Sequence, residues 1–262
     1  MRKIVLAAAA VAVSSTFAFA ADVPTKMPVK AAPVAVPVDN WTGCYIGANT
    51  GYAWANKNLT ETEDNGPITP LYVGSATPSG WAYGGQIGCD YQINNNWVVG
   101  IRGMWDGSNI SGSNQWLPST FNGLTPVNYS YYNINWFGTV VGKVGYLLNP
   151  ALELYGLGGV AWVRDNQFWT NTDLTPAEFA NGYQTRTGYD VGVGIDWMFA
   201  HNWDLFVEYD HMGFGTQFMS IPGIGTYSGE PFGGNVKQSV DKVLVGLNYR
   251  FGSWVAPVVA KY

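Results

Sequence analysis

A chain of 262 residues with 12% charged residues, 15% aromatics and 33 glycines differs from an average soluble domain, in which about a quarter of residues are charged. Its net charge of −5, with no basic patch, excludes a nucleic-acid-binding surface, which needs clustered Lys and Arg. Beyond the first twenty residues no apolar run reaches the roughly 20 that a membrane-spanning helix requires, so the hydrophobicity is spread thinly.

Residues 1–20 read as an export signal. Arg2 and Lys3 start it, Ile4 to Val13 form its apolar run, and Ala18-Phe19-Ala20 precedes a cut at Ala21. Of 13 basic and 18 acidic residues, Arg2 and Lys3 leave with it, so 11 face 18. Residues 21–40, with Pro24, Pro28, Pro33, Pro37, Lys26 and Lys30, read as an extended periplasmic linker. Contact with peptidoglycan or another envelope protein is the alternative use of this stretch.

Residues 41–251 change to period-two alternation and read as one β domain. Eight segments fall near 42–55, 80–93, 97–109, 133–148, 151–164, 186–199, 203–213 and 238–251. Each is long enough to cross a bilayer as a tilted strand of about 10 residues. Short turns sit at Asn94-Asn95-Asn96, Asn149-Pro150 and Ala200-His201-Asn202. Long loops are expected over about 56–79, 110–132, 165–185 and 214–237, rich in turn formers. This asymmetry is that of an outer-membrane barrel.

The facing decides between lipid and water outside. In the sixth segment Tyr189, Val191, Val193, Ile195, Trp197 and Phe199 share one face, opposite Gly188, Asp190, Gly192, Gly194, Asp196 and Met198. The third, seventh and eighth behave alike. The fifth is ambiguous, because Leu152 and Leu154 disagree in parity with Tyr155 and Leu157. A soluble sandwich or lipocalin-like barrel would bury its apolar face, leaving a core that is not made of glycine and charge. The expected fold is therefore all-β, an eight-stranded antiparallel transmembrane β-barrel with an up-and-down meander. Trp41, Trp97 and Trp203 near the short turns, and Trp54, Trp81, Trp105, Trp136 and Trp162 near the long loops, suit two aromatic girdles.

Cys44 and Cys89 fall near the short-turn ends of neighbouring strands, on the apolar face. Export to an oxidising compartment makes them a disulfide candidate; two free lipid-facing thiols are the alternative. The inward charges are Arg102, Asp106, Lys143, Glu153, Asp190, Asp196, Asp204, Glu208, Asp210, Lys242 and Arg250. In so narrow an interior they are expected to pair and plug the lumen, or else to line a narrow path for small solutes.

Signals for catalysis are weak. His201 lies in a turn, and His211 stands beside Asp210 with Ser220 near only in sequence. There is no GxSxG, HExxH, P-loop or GxGxxG segment, so no enzyme activity, cofactor or metal is expected. Glu61-Thr62-Glu63-Asp64 reads as a solvated acidic loop. The loop aromatics Trp116, Phe121, Tyr131, Trp169 and Phe232 suit either self-packing or a ligand-binding surface.

Several stretches resemble the alphaproteobacterial small outer-membrane proteins, the RopB-type surface-antigen, porin-like family. They are Trp41-Thr42-Gly43-Cys44-Tyr45-Ile46-Gly47, Gly84-Gly85-Gln86-Ile87-Gly88, Asn135-Trp136-Phe137-Gly138-Thr139-Val140, Val144-Gly145-Tyr146 and Val245-Gly246-Leu247-Asn248-Tyr249-Arg250-Phe251. The resemblance covers residues 41–251. It implies an OmpA/OmpX-like barrel of eight strands in the outer membrane, in contact with outer-membrane lipid and lipopolysaccharide. It further implies surface exposure and a role in envelope integrity, with some members acting as porins. The closing segment resembles the signal read by the barrel-assembly machinery, with Gly246, Leu247, Tyr249 and Phe251 at the patterned positions. That signal usually ends the chain, whereas here residues 252–262 follow as a C-terminal extension, so an internal signal or terminal Tyr262 would serve.

Overall fold

The computed structural model describes residues 40–63, 71–115, 128–171, 178–225, 228–229 and 232–251. The expected export signal, almost all of the linker, the C-terminal extension, Trp116 and Phe121 lie outside these residues. Nine strands form one antiparallel sheet: β1 (Gly43–Glu63), β2 (Leu71–Ala76), β3 (Ser79–Gln92), β4 (Trp97–Gln115), β5 (Asn128–Asn149), β6 (Leu152–Asn171), β7 (Glu178–Ala200), β8 (Trp203–Ser220) and β9 (Gly233–Phe251). β1 also pairs with β9, from Cys44 opposite Phe251 to Glu63 opposite Gly233, which closes β1 and β3–β9 into a ring.

The strand count is nine where the alternation predicts eight. The extra strand is β2, which pairs with β1 over Lys57–Glu61, while β3 pairs with β1 over Gly43–Trp54. β2 and β3 follow one another along the same edge of β1, interrupted at Thr77-Pro78. Proline has no N–H to give the ladder, but its carbonyl still accepts from Ala55 N at 2.8 Å. The ring thus has eight staves, and the second is made of two pieces.

The short turns fall where expected. Asn94 Oδ1 accepts from the backbone N–H groups of Asn96 and Trp97, and Asn149 Oδ1 accepts from Ala151 N–H, so both turns are held by asparagine side chains. At the opposite end the strands run on well into the stretches expected as loops. β1 reaches Glu63, β4 reaches Gln115, and β7 starts at Glu178. A spanning strand needs only about 10 residues, so a ring of paired strands rises beyond the bilayer.

Facing follows the apolar-outside rule. Ile87 is 65% exposed and Trp105 67%, whereas Asp190, Asp204 and Lys242 are at 0%. The parity of β6 is also settled. Leu154 faces out, while Tyr155 and Leu157 face in. Inward glycines leave room for larger neighbours. A Cβ on Gly145 would strike the Glu153 carboxylate, and one on Gly192 would strike Asp210. At the short-turn end Cys44 lies directly opposite Cys89 on the outward face, and the two form a disulfide.

Candidate functional site

From the short-turn end upward, the lumen is a stack of alternating layers. The lowest is apolar: Trp41, Val98, Leu147 and Met198, all buried. Trp41 was expected in the girdle, but its ring turns inward and its Nε1–H donates to the Pro150 carbonyl at 2.9 Å. It precedes β1 and is not bound to strand alternation, so it can fold over the barrel mouth.

The next layer is centred on Arg250. Its guanidinium bonds Asp204 through Nε, Asp90 through Nη1 at 2.9 Å and Asp196 through Nη2 at 3.4 Å. The guanidinium carbon lies 4.6 Å from the Trp41 ring centre and 4.9 Å from that of Tyr45. Asp90 is shared with Lys143, whose Nζ lies 3.0 Å from both Asp90 and Glu153. Asn248 joins the cluster by donating to Asp204 at 2.6 Å.

Above it Arg102 and Glu208 form a two-pronged pair with both N–O distances 2.6 Å, and Tyr155 O–H donates to the same carboxylate at 2.7 Å. Lys242 reaches Asp106 at 3.1 Å and Asp210 at 3.3 Å. Asp190 is fully buried in the same part of the lumen, yet its carboxylate makes no hydrogen bond among the described residues. Of the eleven charges expected inside, ten take part in ion pairs and Asp190 is the exception.

A buried apolar cluster starts among these charges, with Phe206 one inward position below Glu208, Leu244 one below Lys242 and Met104 one below Asp106, and it continues above them through Met212, Phe214, Ile110 and Ile134. Above it Asp165 receives Lys57 at 3.0 Å and Arg186 at 3.1 Å. Lys57 lies beyond the girdle residue Trp54, outside the spanning part. Burial pulls the pKa of its ammonium down, against the opposing pull of Asp165. A final apolar cluster of Leu59, Trp169, Ala180, Met219, Ile221, Phe232 and Val236 fills the far end. Trp169 was expected in a loop; it lies in β6, with its ring 6.0 Å from that of Phe232.

Sequence reading misses Asp90, Lys57, Asp165 and Arg186. Asp90 shares the parity of Gln86 and Gly88, which would have revealed it. Lys57 and Asp165 fall in stretches read as loops. The one described acid contact of a histidine is on the outer wall, away from the lumen charges. His211 points outward and bonds Asp241 at 2.8 Å, whereas Asp210 points into the lumen.

The outward wall is apolar across the span. Among the described residues, its charged side chains are confined to the end away from the short turns: His211 with Asp241, Arg164 and Lys237. Trp105 and Trp136 pack edge to face at one girdle, and Trp203 and Tyr249 at the other.

Residues 5–251 match the family described as outer membrane protein beta-barrel domain. The 31 kDa outer-membrane immunogenic protein of Brucella melitensis is 32% identical over 257 residues, covering 96% of this chain and 100% of that protein. The 25 kDa outer-membrane immunogenic protein of Brucella abortus is 27% identical over 252 residues, covering 96% of this chain and 99% of its own. Among solved structures, OprG from Pseudomonas aeruginosa is 13% identical with a TM-score of 0.42, covering 82% of this chain and all of that one. The outer membrane protease OmpT from Escherichia coli is 11% identical with a TM-score of 0.49, covering 80% of this chain and 97% of that one.

Proposed function

Since the chain belongs to the outer membrane protein β-barrel family and resides in the outer membrane, we propose that it is a structural barrel that contributes to envelope integrity and displays its far end at the cell surface. The observation that carries this reading is the filling of the lumen. Buried apolar clusters and three groups of ion pairs occupy it from end to end, with bulky side chains in each. Such an interior gives mechanical cohesion. The role is non-enzymatic, and the surface partners are lipid and lipopolysaccharide. Assembly by the barrel-assembly machinery would use Gly246, Leu247, Tyr249 and Phe251. Export by residues 1–20 and a tether over 21–40 complete the proposal.

A second reading, a narrow channel, draws on one observation. Below the Lys57–Asp165–Arg186 group the lumen holds eight carboxylates (Asp90, Asp106, Glu153, Asp190, Asp196, Asp204, Glu208 and Asp210) against four cations (Arg102, Lys143, Lys242 and Arg250). Any path through it would favour cations. Planar-bilayer recording separates the two. The structural reading expects no stable unit conductance from the wild-type barrel. A cation-selective unit conductance that changes in Arg102→Ala would replace it with the channel reading.

A further inference from the structure

Resting on the outer-leaflet contact proposed above, we infer that Arg164 and its neighbours on the outward wall form a binding position for the phosphorylated glucosamine headgroup of lipopolysaccharide. Arg164 lies on β6 at the outward position next above the girdle residue Trp162. It pairs across to Trp136 on β5 and to Thr185 on β7. Its Nη1 donates to Thr185 Oγ1 at 3.3 Å, and its guanidinium carbon lies 5.6 Å from the ring centre of Tyr183, which is 58% exposed. The guanidinium thus sits near the Tyr183 ring and the Thr185 hydroxyl. No carboxylate pairs with it among the described residues, unlike the ten lumen charges.

Position supplies the occupant. Trp136 and Trp162 mark where hydrocarbon ends, because indole rings settle at that boundary. The end away from the short turns is the extracellular one, where the outer leaflet holds lipopolysaccharide. Its phosphates lie at the level just above the acyl chains, which is the level of Arg164. A guanidinium presents a planar donor fork suited to a phosphate's oxygens. The exposed ring of Tyr183 beside it adds apolar surface for the sugar and the first acyl carbons. The site is continuous with the lipid-facing wall, so a headgroup reaches it by lateral motion in the leaflet.

Native mass spectrometry of the purified full-length barrel, supplied with bis-phosphorylated lipid A, tests the inference. The wild type is expected to retain lipid A, and Arg164→Gln to retain about tenfold less at the same lipid concentration. Arg164→Lys, which keeps charge but loses the fork, falls between them. Lipid A stripped of its phosphates is expected to bind the wild type as weakly as the phosphorylated form binds R164Q. Equal retention by wild type and R164Q, or equal retention of the stripped lipid, overturns the site. Equal retention of phosphatidylglycerol overturns its assignment to lipopolysaccharide. Heat-shifted gel mobility verifies that each variant is folded. If R164Q fails to fold, the lipid comparison on the wild type decides alone.

Discussion

Arg102→Ala is expected to destabilise the barrel by about 3–5 kcal/mol, because it leaves the Glu208 carboxylate buried without its cation. Both oxygens of Glu208 now face the guanidinium at 2.6 Å, and only Tyr155 would remain as a donor. Neither residue reaches water, so no solvent replaces the lost bond. Replacing both partners separates pairing from packing. A double variant, Arg102→Met with Glu208→Leu, fills much the same space without charge and is expected to sit within about 1–2 kcal/mol of the wild type. Urea unfolding in lipid vesicles reads both. An R102A midpoint equal to that of the wild type would mean that the pair is hydrated or already broken.

Arg250→Ala is expected to cost at least as much as R102A, at the upper end of the same range of about 3–5 kcal/mol. One guanidinium neutralises Asp204, Asp90 and Asp196 in part, and it also donates to the Trp41 carbonyl. Without it, Lys143 is the nearest remaining cation for Asp90, and Asp204 keeps only the Asn248 amide. The Trp41 ring also loses the cation it covers. Arg250→Lys restores charge but not three-way bonding, so partial recovery is the expected result. The same vesicle unfolding measures it. R250A with wild-type stability would show that the short-turn plug does not depend on this hub.

The barrel was legible because most spanning strands keep one parity from the short turns upward. Along β7, Tyr189 to Phe199 stay outward without interruption. The far halves were not legible, and bulges account for part of that. In β8 the register shifts between Gly213 and Gly215, and Gly215 takes a φ of 63°, open to glycine at little steric cost. Below it Met212 and Phe214 point in; above it Met219 does, so inward parity flips from even to odd. β5 does the same between Ile134 and Trp136, with Tyr132 and Ile134 inward above the shift and Phe137 and Thr139 inward below it. A pattern that reverses over a few residues reads as irregular chain. Beyond the bilayer the outer face is also polar, as at Asn166 and Thr185, so both faces mix residue types and the contrast fades.

The lumen charges were legible as a set but not as pairs. Parity places Arg102, Glu208 and Lys242 inside, yet their ion-pair partners come from β4 and β8, and only ring closure determines who meets whom. The apolar layers were the larger omission. Phe206, Met198 and Leu244 were already on the inward face, but parity along single strands does not show which of them pack together across the ring. Those glycines instead make space: a Cβ on Gly246 would collide with the Phe206 ring.

The account stands on the outward face meeting hydrocarbon, and spin labels test it most directly. Cysteines introduced at Val193 and Val245, outward at mid-strand, and at Thr139, buried in the lumen, would carry nitroxides while Cys44 and Cys89 stay bridged. In reconstituted vesicles the labels at 193 and 245 are expected to collide freely with oxygen and hardly at all with a water-soluble nickel chelate, while the label at 139 meets neither. Strong nickel access with weak oxygen access at 193 and 245 would put those side chains in water and contradict the membrane barrel.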